Sequence, residues 1–115
     1  MSVRRGDVVL VDYPFTTGGG KVRPALVVQN DRDNGRLMNT IIAQISSNST
    51  RVHEVTQHLI QLNQEPGCGL MRDSALIATN LLTLHQSDIL RTLGVLSAES
   101  MEKVDSCLKA ALDLS

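Results

Sequence analysis

Residues 8–30 read VVLVDYPFTTGGGKVRPALVVQN, which is two apolar runs on either side of a glycine-rich segment. Each run is rich in β-branched residues, which favour pleated strands. Pro14 ends the first run, and Pro24 opens the second, because proline is tolerated at the first residue of a strand. Three consecutive glycines remove the usual steric limits on the backbone between them. The stretch therefore predicts two strands, Val8–Tyr13 and Ala25–Asn30, joined by a flexible loop.

Further short runs of the same kind follow along the chain. Asp31–Arg36 is polar and contains an Asn-Gly pair, which predicts a turn. The predicted strands after it are Thr40–Ile45, His58–Leu62, Ser74–Thr79 and Arg91–Leu96. Short strands separated by glycine and proline turns are typical of a closed or nearly closed antiparallel barrel.

The C-terminal segment has helical periodicity instead. Ser97 is a good N-cap, and Leu96 and Met101 have the spacing of a hydrophobic staple. The apolar positions that recur at intervals of three and four are Met101, Val104, Leu108, Ala111 and Leu112. We therefore expect an amphipathic helix from about Ala98 to Leu112, packed on the barrel, and a fold that is mainly β with a C-terminal helix.

Length and composition indicate one small globular domain spanning residues 1–115. Apolar residues make up 42% of the 115 residues and charged residues 20%, which is an ordinary globular balance. The core must be aliphatic, because the chain has no Trp, one Tyr and one Phe. A domain of this size has a modest core, and a homodimer interface would add to it.

Charge is distributed unevenly along the chain, whose formal net charge is −1. Residues 1–40 carry six basic and four acidic side chains, and residues 41–115 carry five basic and eight acidic ones. The acidic excess excludes a protein that coats nucleic acid non-specifically. We expect a site for a polyanion to lie in the first third.

The two cysteines and the apolar runs bear on the compartment. Cys68 and Cys107 have no metal-ligand spacing, and no apolar run approaches the roughly 20 residues that span a bilayer. Arg4, Arg5 and Asp7 interrupt any secretory signal after the first residue. The simplest expectation is a cytoplasmic protein with free thiols and no membrane segment.

Four segments together resemble the MazF/PemK toxin family. They are Arg5–Asp12, Val22–Asp31, Gly69–Ser74 and the helical stretch from Leu96 to Leu108, and their order covers nearly the whole chain. The resemblance implies an SH3-like antiparallel barrel with a terminal helix, working as a homodimer. It also implies sequence-selective cleavage of single-stranded RNA without a metal or cofactor, through attack of the 2′-OH on the phosphodiester, and a neutralising antitoxin partner.

The resemblance also implies roles for individual residues. Arg23 matches the family's catalytic arginine, and a guanidinium is suited to the task because it offers a charged fork to two phosphate oxygens. Ser46 aligns with the family's catalytic threonine and keeps its hydroxyl, although a slip of one residue would transfer the role to Ser47. The residues that we expect to contact RNA are Thr16, Thr17 and Lys21 in the glycine loop, together with Ser47 and Asn80.

The chain departs from the family pattern near the end of the predicted strand at Ser74–Thr79. Many members carry an acidic residue and then an arginine there, whereas this chain has Thr79 and Leu82. An alternative is therefore a catalytically weak or inactive relative that sequesters antitoxin, or that binds gyrase as the CcdB group does. A plain SH3-like adaptor is a third interpretation. His53 is a candidate proton carrier near the site, although a lone histidine is more often a surface residue.

Overall fold

The computed structural model describes residues 2–13, 21–48 and 54–115, which form a six-stranded antiparallel sheet with helices. The strands are β1 (Asp7–Tyr13), β2 (Lys21–Val27), β3 (Asn39–Ser46), β4 (Gln57–Ile60), β5 (Ser74–His85) and β6 (Ile89–Val95). Their order across the sheet is β4-β5-β3-β2-β1-β6. The helices are α1 (Asp31–Arg36), α2 (Ala98–Leu112) and a 3₁₀ turn (Gln86–Asp88). No helix in the described ranges has the length and apolarity needed to cross a membrane.

Strand β1 is buried on both faces, as its unbroken apolar run predicts. Val8 packs into a first core, which lies between the sheet and α2. Val9 and Val11 point the other way into a second core, because successive side chains of a strand alternate between faces. The other buried members of the second core are Ala25, Val27 and Ile42. Aliphatic side chains therefore fill both sides of the sheet.

The mainly β fold with a C-terminal helix is confirmed, but pairing of the described strands does not close the sheet into a barrel. Strands β4 and β6 are its two edges. The ladder between β3 and β5 contains a bulge, since Ala43 pairs with Leu81 whereas the next residue, Gln44, pairs with Ile77. Bulges of this kind bend a sheet and increase its twist. The expected barrel is therefore an open, bent sheet.

A turn bridges one edge of this open sheet. The connection between β4 and β5 lies against β6, where the Val95 N–H donates to the Gly67 carbonyl at 2.9 Å. Gly94 on β6 permits this approach, because a Cβ there would lie 2.1 Å from the Gly67 oxygen and 2.6 Å from the Cys68 carbonyl carbon. The two backbones thus touch where only glycine fits.

We expect Gly94→Ala to lower the free energy of unfolding by about 2 kcal/mol, because the two backbone segments must move apart. Denaturant titration measures this change. The matched control is Gly35→Ala in α1, where a new Cβ meets nothing within 4 Å and alanine is the better helix former. Equal unfolding midpoints for the two variants would contradict this view of the turn.

Helix α2 begins and ends at the predicted residues. Ser97 caps it, since its Oγ accepts from the Ser100 N–H at 3.1 Å. Val104 and Cys107 are buried in the first core. The buried apolar face of α2 ends earlier than predicted, because Leu112 in the last turn is 53% exposed. Cys68 and Cys107 are both free thiols, as expected, and both are buried.

A buried carboxylate anchors the start of α2. Glu65 accepts from the Ser97 N–H at 2.7 Å, the Ser97 hydroxyl at 2.6 Å and the Ser100 hydroxyl at 2.9 Å. Burial works to raise the pKa of Glu65, but the hydrogen bonds from Ser97 and Ser100 hold this pKa below its ordinary value. His58 Nε2 lies 3.1 Å from the Ser100 hydroxyl. Burial, assisted by the charge of Lys103, lowers the pKa of His58.

The prediction of a turn at Asp31–Arg36 is wrong, because this segment is the short helix α1. Asn30 caps it by accepting a backbone N–H of the first turn. Asn34 is 1% exposed and donates to the Gln29 carbonyl, and its Oδ1 accepts from the Thr40 hydroxyl at 2.7 Å. The Asn34 side chain, which favours a turn when only the local sequence is considered, has buried hydrogen-bond partners here, and the polar segment is helical.

Two predicted strands differ most from the observed ones, β2 and β5. β2 begins at Lys21 rather than after Pro24, and it ends at Val27 rather than at Asn30. Pro24 is accommodated inside the strand because pairing with β3 begins only at Ala25. β5 continues past the bulge to His85, since its second half pairs with the first half of β3.

Candidate functional site

A groove of about 530 Å³ lies where β2 begins and β3 ends. Arg23, Ser46 and Ser47 line it from β2 and from the end of β3, and we call this side one wall. Arg91 lines it from β6, together with the turn that contains Arg72 and lies against β6, and we call this side the other wall. Leu10, Leu93 and Pro24 add apolar surface to the groove. The groove is therefore formed by cations and hydroxyls around an apolar floor.

Strand register brings Arg23 and Ser46 together. Ala25 on β2 is paired with Gln44 on β3, and the two strands are antiparallel. Continuing this register by two residues sets Arg23 opposite Ser46, on the same face as Gln44. Directly opposed residues lie about 5 Å apart between their Cα atoms. The two residues that the resemblance implies are catalytic thus lie at corresponding positions just beyond the paired part of β2 and β3, and both line the groove.

The hydroxyl of Ser46 is held in place by its own turn. Its Oγ accepts from the Asn48 N–H at 3.2 Å, an arrangement that fixes the oxygen and leaves the hydroxyl hydrogen for another acceptor. Ser47 is exposed in the turn that follows and also lines the groove. Ser46 can therefore donate a hydrogen bond to an anion bound beside Arg23.

The other residues that we expected to contact RNA are placed differently. Asn80 lies at the bulge of β5 and donates to Gln44 Oε1, so it borders the groove through Gln44 rather than lining it. Thr16 and Thr17 lie outside the described residues. Lys21 begins β2, and its side chain also lies outside them. The structure therefore groups Arg23, Ser46 and Ser47 and sets Asn80 behind them.

Charge in the groove has one sign. Arg23, Arg72 and Arg91 line it, and among the described lining residues there is no Asp or Glu. In the described ranges the ion pairs are those of Arg5 with Asp105 and of Arg36 with Asp33. Arg23 is thus not neutralised by a structural carboxylate in this part of the chain, and the groove favours a polyanion.

No histidine is among the described residues that line the groove. His58 packs against Ser100 at the start of α2, and His85 Nδ1 accepts from the Ser87 N–H beside the 3₁₀ turn. His53 lies outside the described residues. Leu82, where the resemblance led us to look for an arginine, packs against the second core, and Thr79 is exposed.

Sequence reasoning missed Arg72 and Arg91. Arg72 was within a quoted motif, Gly69–Ser74, so its place beside the groove could have been considered. Arg91 gave no local signal, because it reaches the groove only through the pairing of β6 with β1. Both arginines come from the acidic part of the chain. Of the three arginines that line the groove, Arg23 is therefore the one that lies in the first third of the chain, where we expected the polyanion site.

Comparisons with known proteins agree with this fold. Residues 4–112 match the model of the PemK-like, MazF-like toxins of type II toxin-antitoxin systems. The chain is 32% identical to endoribonuclease EndoA of Bacillus subtilis, over 99% of this chain and 97% of that protein.

Solved structures are similar over the whole chain. A mycobacterial endoribonuclease in complex with its cognate antitoxin superposes with a TM-score of 0.80 at 22% identity, covering 99% of this chain and 98% of that one. A chain of a MazE-MazF crystal structure from Deinococcus radiodurans superposes with a TM-score of 0.72 at 19% identity, covering 100% of this chain and 99% of that one. These structures support the fold, while the family model and EndoA cover the sequence almost from end to end. The chain therefore belongs to the PemK-like, MazF-like toxin family of type II toxin-antitoxin systems.

Proposed function

We propose that this chain is an endoribonuclease toxin that cleaves single-stranded RNA sequence-selectively in the Arg23 groove, without a metal ion. The observation that carries the proposal is that Arg23 and Ser46 line one groove, whose described lining residues include three guanidinium groups and no carboxylate. A guanidinium can bind two phosphate oxygens at once. Membership of the toxin family and the identity to EndoA support the same activity.

The reaction requires no nucleophile from the protein. The 2′ oxygen of the RNA forms a bond to the adjacent phosphorus, and the bond from phosphorus to the 5′ oxygen breaks. One proton leaves the 2′-OH and another is delivered to the 5′ oxygen, so the products are a 2′,3′-cyclic phosphate and a 5′-OH. Negative charge accumulates on the phosphate oxygens as the 2′ oxygen attacks, and a cation aimed at those oxygens lowers the barrier.

We assign separate roles to these two residues. Arg23 binds the phosphate oxygens and stabilises their added charge. Ser46 donates its hydroxyl hydrogen to a phosphate oxygen, because its own oxygen is already fixed by the Asn48 N–H. Ser47 and Gln44 border the same anion, and Asn80 holds Gln44. Thr16, Thr17 and Lys21 contact the RNA from the glycine loop. We assign neither of the two proton transfers to a described residue that lines the groove.

The partners follow from the toxin function. We propose a cognate antitoxin that binds the chain, as the antitoxin does in the mycobacterial complex. We also propose a homodimer, which the modest aliphatic core favours. The cytoplasm is the expected compartment, because the substrate is cellular RNA and both thiols are free and buried.

The alternative of a gyrase-binding or inactive antitoxin-sequestering protein is not favoured. EndoA is named as an endoribonuclease, and its alignment with this chain covers nearly the whole length of both proteins. The groove also keeps the arginine and the hydroxyl despite the exchanges at Thr79 and Leu82.

Incubating the purified chain with mixed single-stranded RNAs in EDTA tests the proposal. We expect cleavage at a restricted set of sites, with cyclic phosphate ends detected by mass spectrometry. Light scattering of the same preparation should give twice the chain mass. RNA that stays intact at high protein concentration would reject the nuclease, and a monomer at micromolar concentration would reject the dimer.

A further inference from the structure

Arg91 occupies the wall of the groove opposite Arg23. It lies on the edge strand β6, where it is paired with Leu10 of β1. Leu10 is in turn paired with Pro24 of β2, so the three residues form one row across three strands. Two strand spacings separate the backbone of Arg91 from that of Pro24, which is roughly 10 Å. Arg91 thus reaches the groove from β6, whereas Ser46 reaches it from β3.

The simplest alternative is that Arg91 is a solvated surface arginine. Among the described arginines, Arg5 binds Asp105 and Arg36 binds Asp33. Arg91 forms no ion pair with a described residue, which is also true of exposed Arg32 outside the groove, but Arg91 shares the groove with Arg72 and Arg23. Three cations gathered around one groove repel one another, so an anion bound between them is stabilised.

The surface between the cations is apolar. Leu10 and Leu93 line the groove together with Pro24. An extended RNA strand alternates charged phosphates with less polar ribose and base. A groove with cations on both walls and an apolar floor matches that alternation, with phosphates at the walls and a ribose or base over the floor.

We propose that Arg91 binds the phosphate next to the scissile one, with Arg72 beside it, so that the RNA strand crosses the groove from Arg23 towards β6. This proposal rests on the proposed nuclease function and adds the course of the substrate. Arg91 is then a substrate-binding residue that tightens binding of the RNA in the ground state and in the transition state alike. Uniform binding of this kind lowers KM without raising kcat.

The test compares Arg91→Gln with the wild-type chain. The probe is a fluorescent single-stranded RNA that spans a mapped cleavage site and carries a 2′-deoxy sugar at the attacking nucleotide, so it binds without being cut. We expect the Kd of the probe to rise about tenfold in Arg91→Gln. The slope of log affinity against log salt should fall in magnitude by about 0.7, the value for one lost phosphate contact to a single strand. With cleavable RNA, KM should rise and kcat should stay unchanged.

Two further variants sharpen the test. Arg32→Gln removes an exposed arginine from α1, which lies at the opposite end of β2 and β3 from the groove, and it should change neither Kd nor the salt slope. Arg91→Lys keeps the charge and should keep the slope. Arg91 is exposed, so thermal melting of Arg91→Gln should match that of the wild type.

The outcomes separate this inference from the proposed function. If the wild-type chain cleaves RNA and Arg91→Gln has the same Kd and the same salt slope, the inference is overturned. The proposed nuclease function would stand. A fall in kcat with unchanged KM would also overturn the inference, because Arg91 would then act on the scissile phosphate. A wild-type chain that binds no probe and cuts no RNA would reject both.

Discussion

Replacing Arg23 with alanine is expected to lower kcat for RNA cleavage by about 100- to 1,000-fold, which is the range for losing one donor aimed at developing charge. Arg23 lines the groove together with Ser46, and no described carboxylate forms an ion pair with it. The other guanidinium groups of the groove lie on the opposite wall, so they do not replace it. Single-turnover cleavage of a mapped RNA site measures the effect directly.

The controls for Arg23 separate chemistry from folding. Arg23→Lys keeps a positive charge but loses the planar fork, so its rate should fall between those of the wild type and Arg23→Ala. Arg32→Ala, at the far end of the sheet, should cleave at the wild-type rate. The unfolding midpoint of Arg23→Ala should stay near that of the wild type, since its side chain makes no ion pair with a described residue. A wild-type rate for folded Arg23→Ala would remove Arg23 from the chemistry.

Glu65→Ala is expected to lower the free energy of unfolding by about 3 kcal/mol. Glu65 is 6% exposed, and its carboxylate accepts three hydrogen bonds from Ser97 and Ser100. Its removal leaves the buried Ser100 hydroxyl without this acceptor and takes a negative charge from the N-terminus of α2, where the helix dipole favours it. Denaturant titration at neutral pH measures the loss. Glu99→Ala, at an exposed position in the first turn of the same helix, is the matched control and should change stability much less.

Glu65 also makes stability depend on pH. Burial opposes ionisation, but the hydrogen bonds from Ser97 and Ser100 win, so the folded pKa lies below the ordinary 4.5. The folded state therefore binds this proton less readily than the unfolded chain does. The stabilisation is complete above the unfolded pKa and is lost as the pH falls through the folded pKa. In Glu65→Gln the unfolding free energy should decline less steeply below about pH 4.5. If the pH dependence of the unfolding free energy at acid pH is the same in Glu65→Gln and the wild type, Glu65 ionises equally in the folded and unfolded states.

The parts of the fold that local signals determine could be predicted from the sequence. Helix α2 begins and ends where its Ser97 cap and apolar spacing predict. The helix at Asp31–Arg36 could not be predicted in this way, because it depends on buried hydrogen bonds of Asn34 with Gln29 and Thr40. The bulge in β5 has no periodic signal either, so the predicted strand ended near the point where the observed one bends.

The same division applies to the site. Arg23 and Ser46 were chosen from motifs that match a known family, and both line the groove beside the paired ends of β2 and β3. Arg91 has no motif, because its neighbours in the groove come from β1 and β2 through pairing between distant parts of the chain. Motifs therefore predicted the wall of the groove near β3, whereas the opposite wall required the fold.

The most direct test of the central claim is a crystal structure of the chain bound to RNA whose attacking nucleotide carries a 2′-deoxy sugar. We predict that the phosphate at the blocked cleavage site lies within hydrogen-bonding distance of both the Arg23 guanidinium and the Ser46 hydroxyl. A scissile phosphate bound elsewhere, with Arg23 pointing into solvent, would contradict the account.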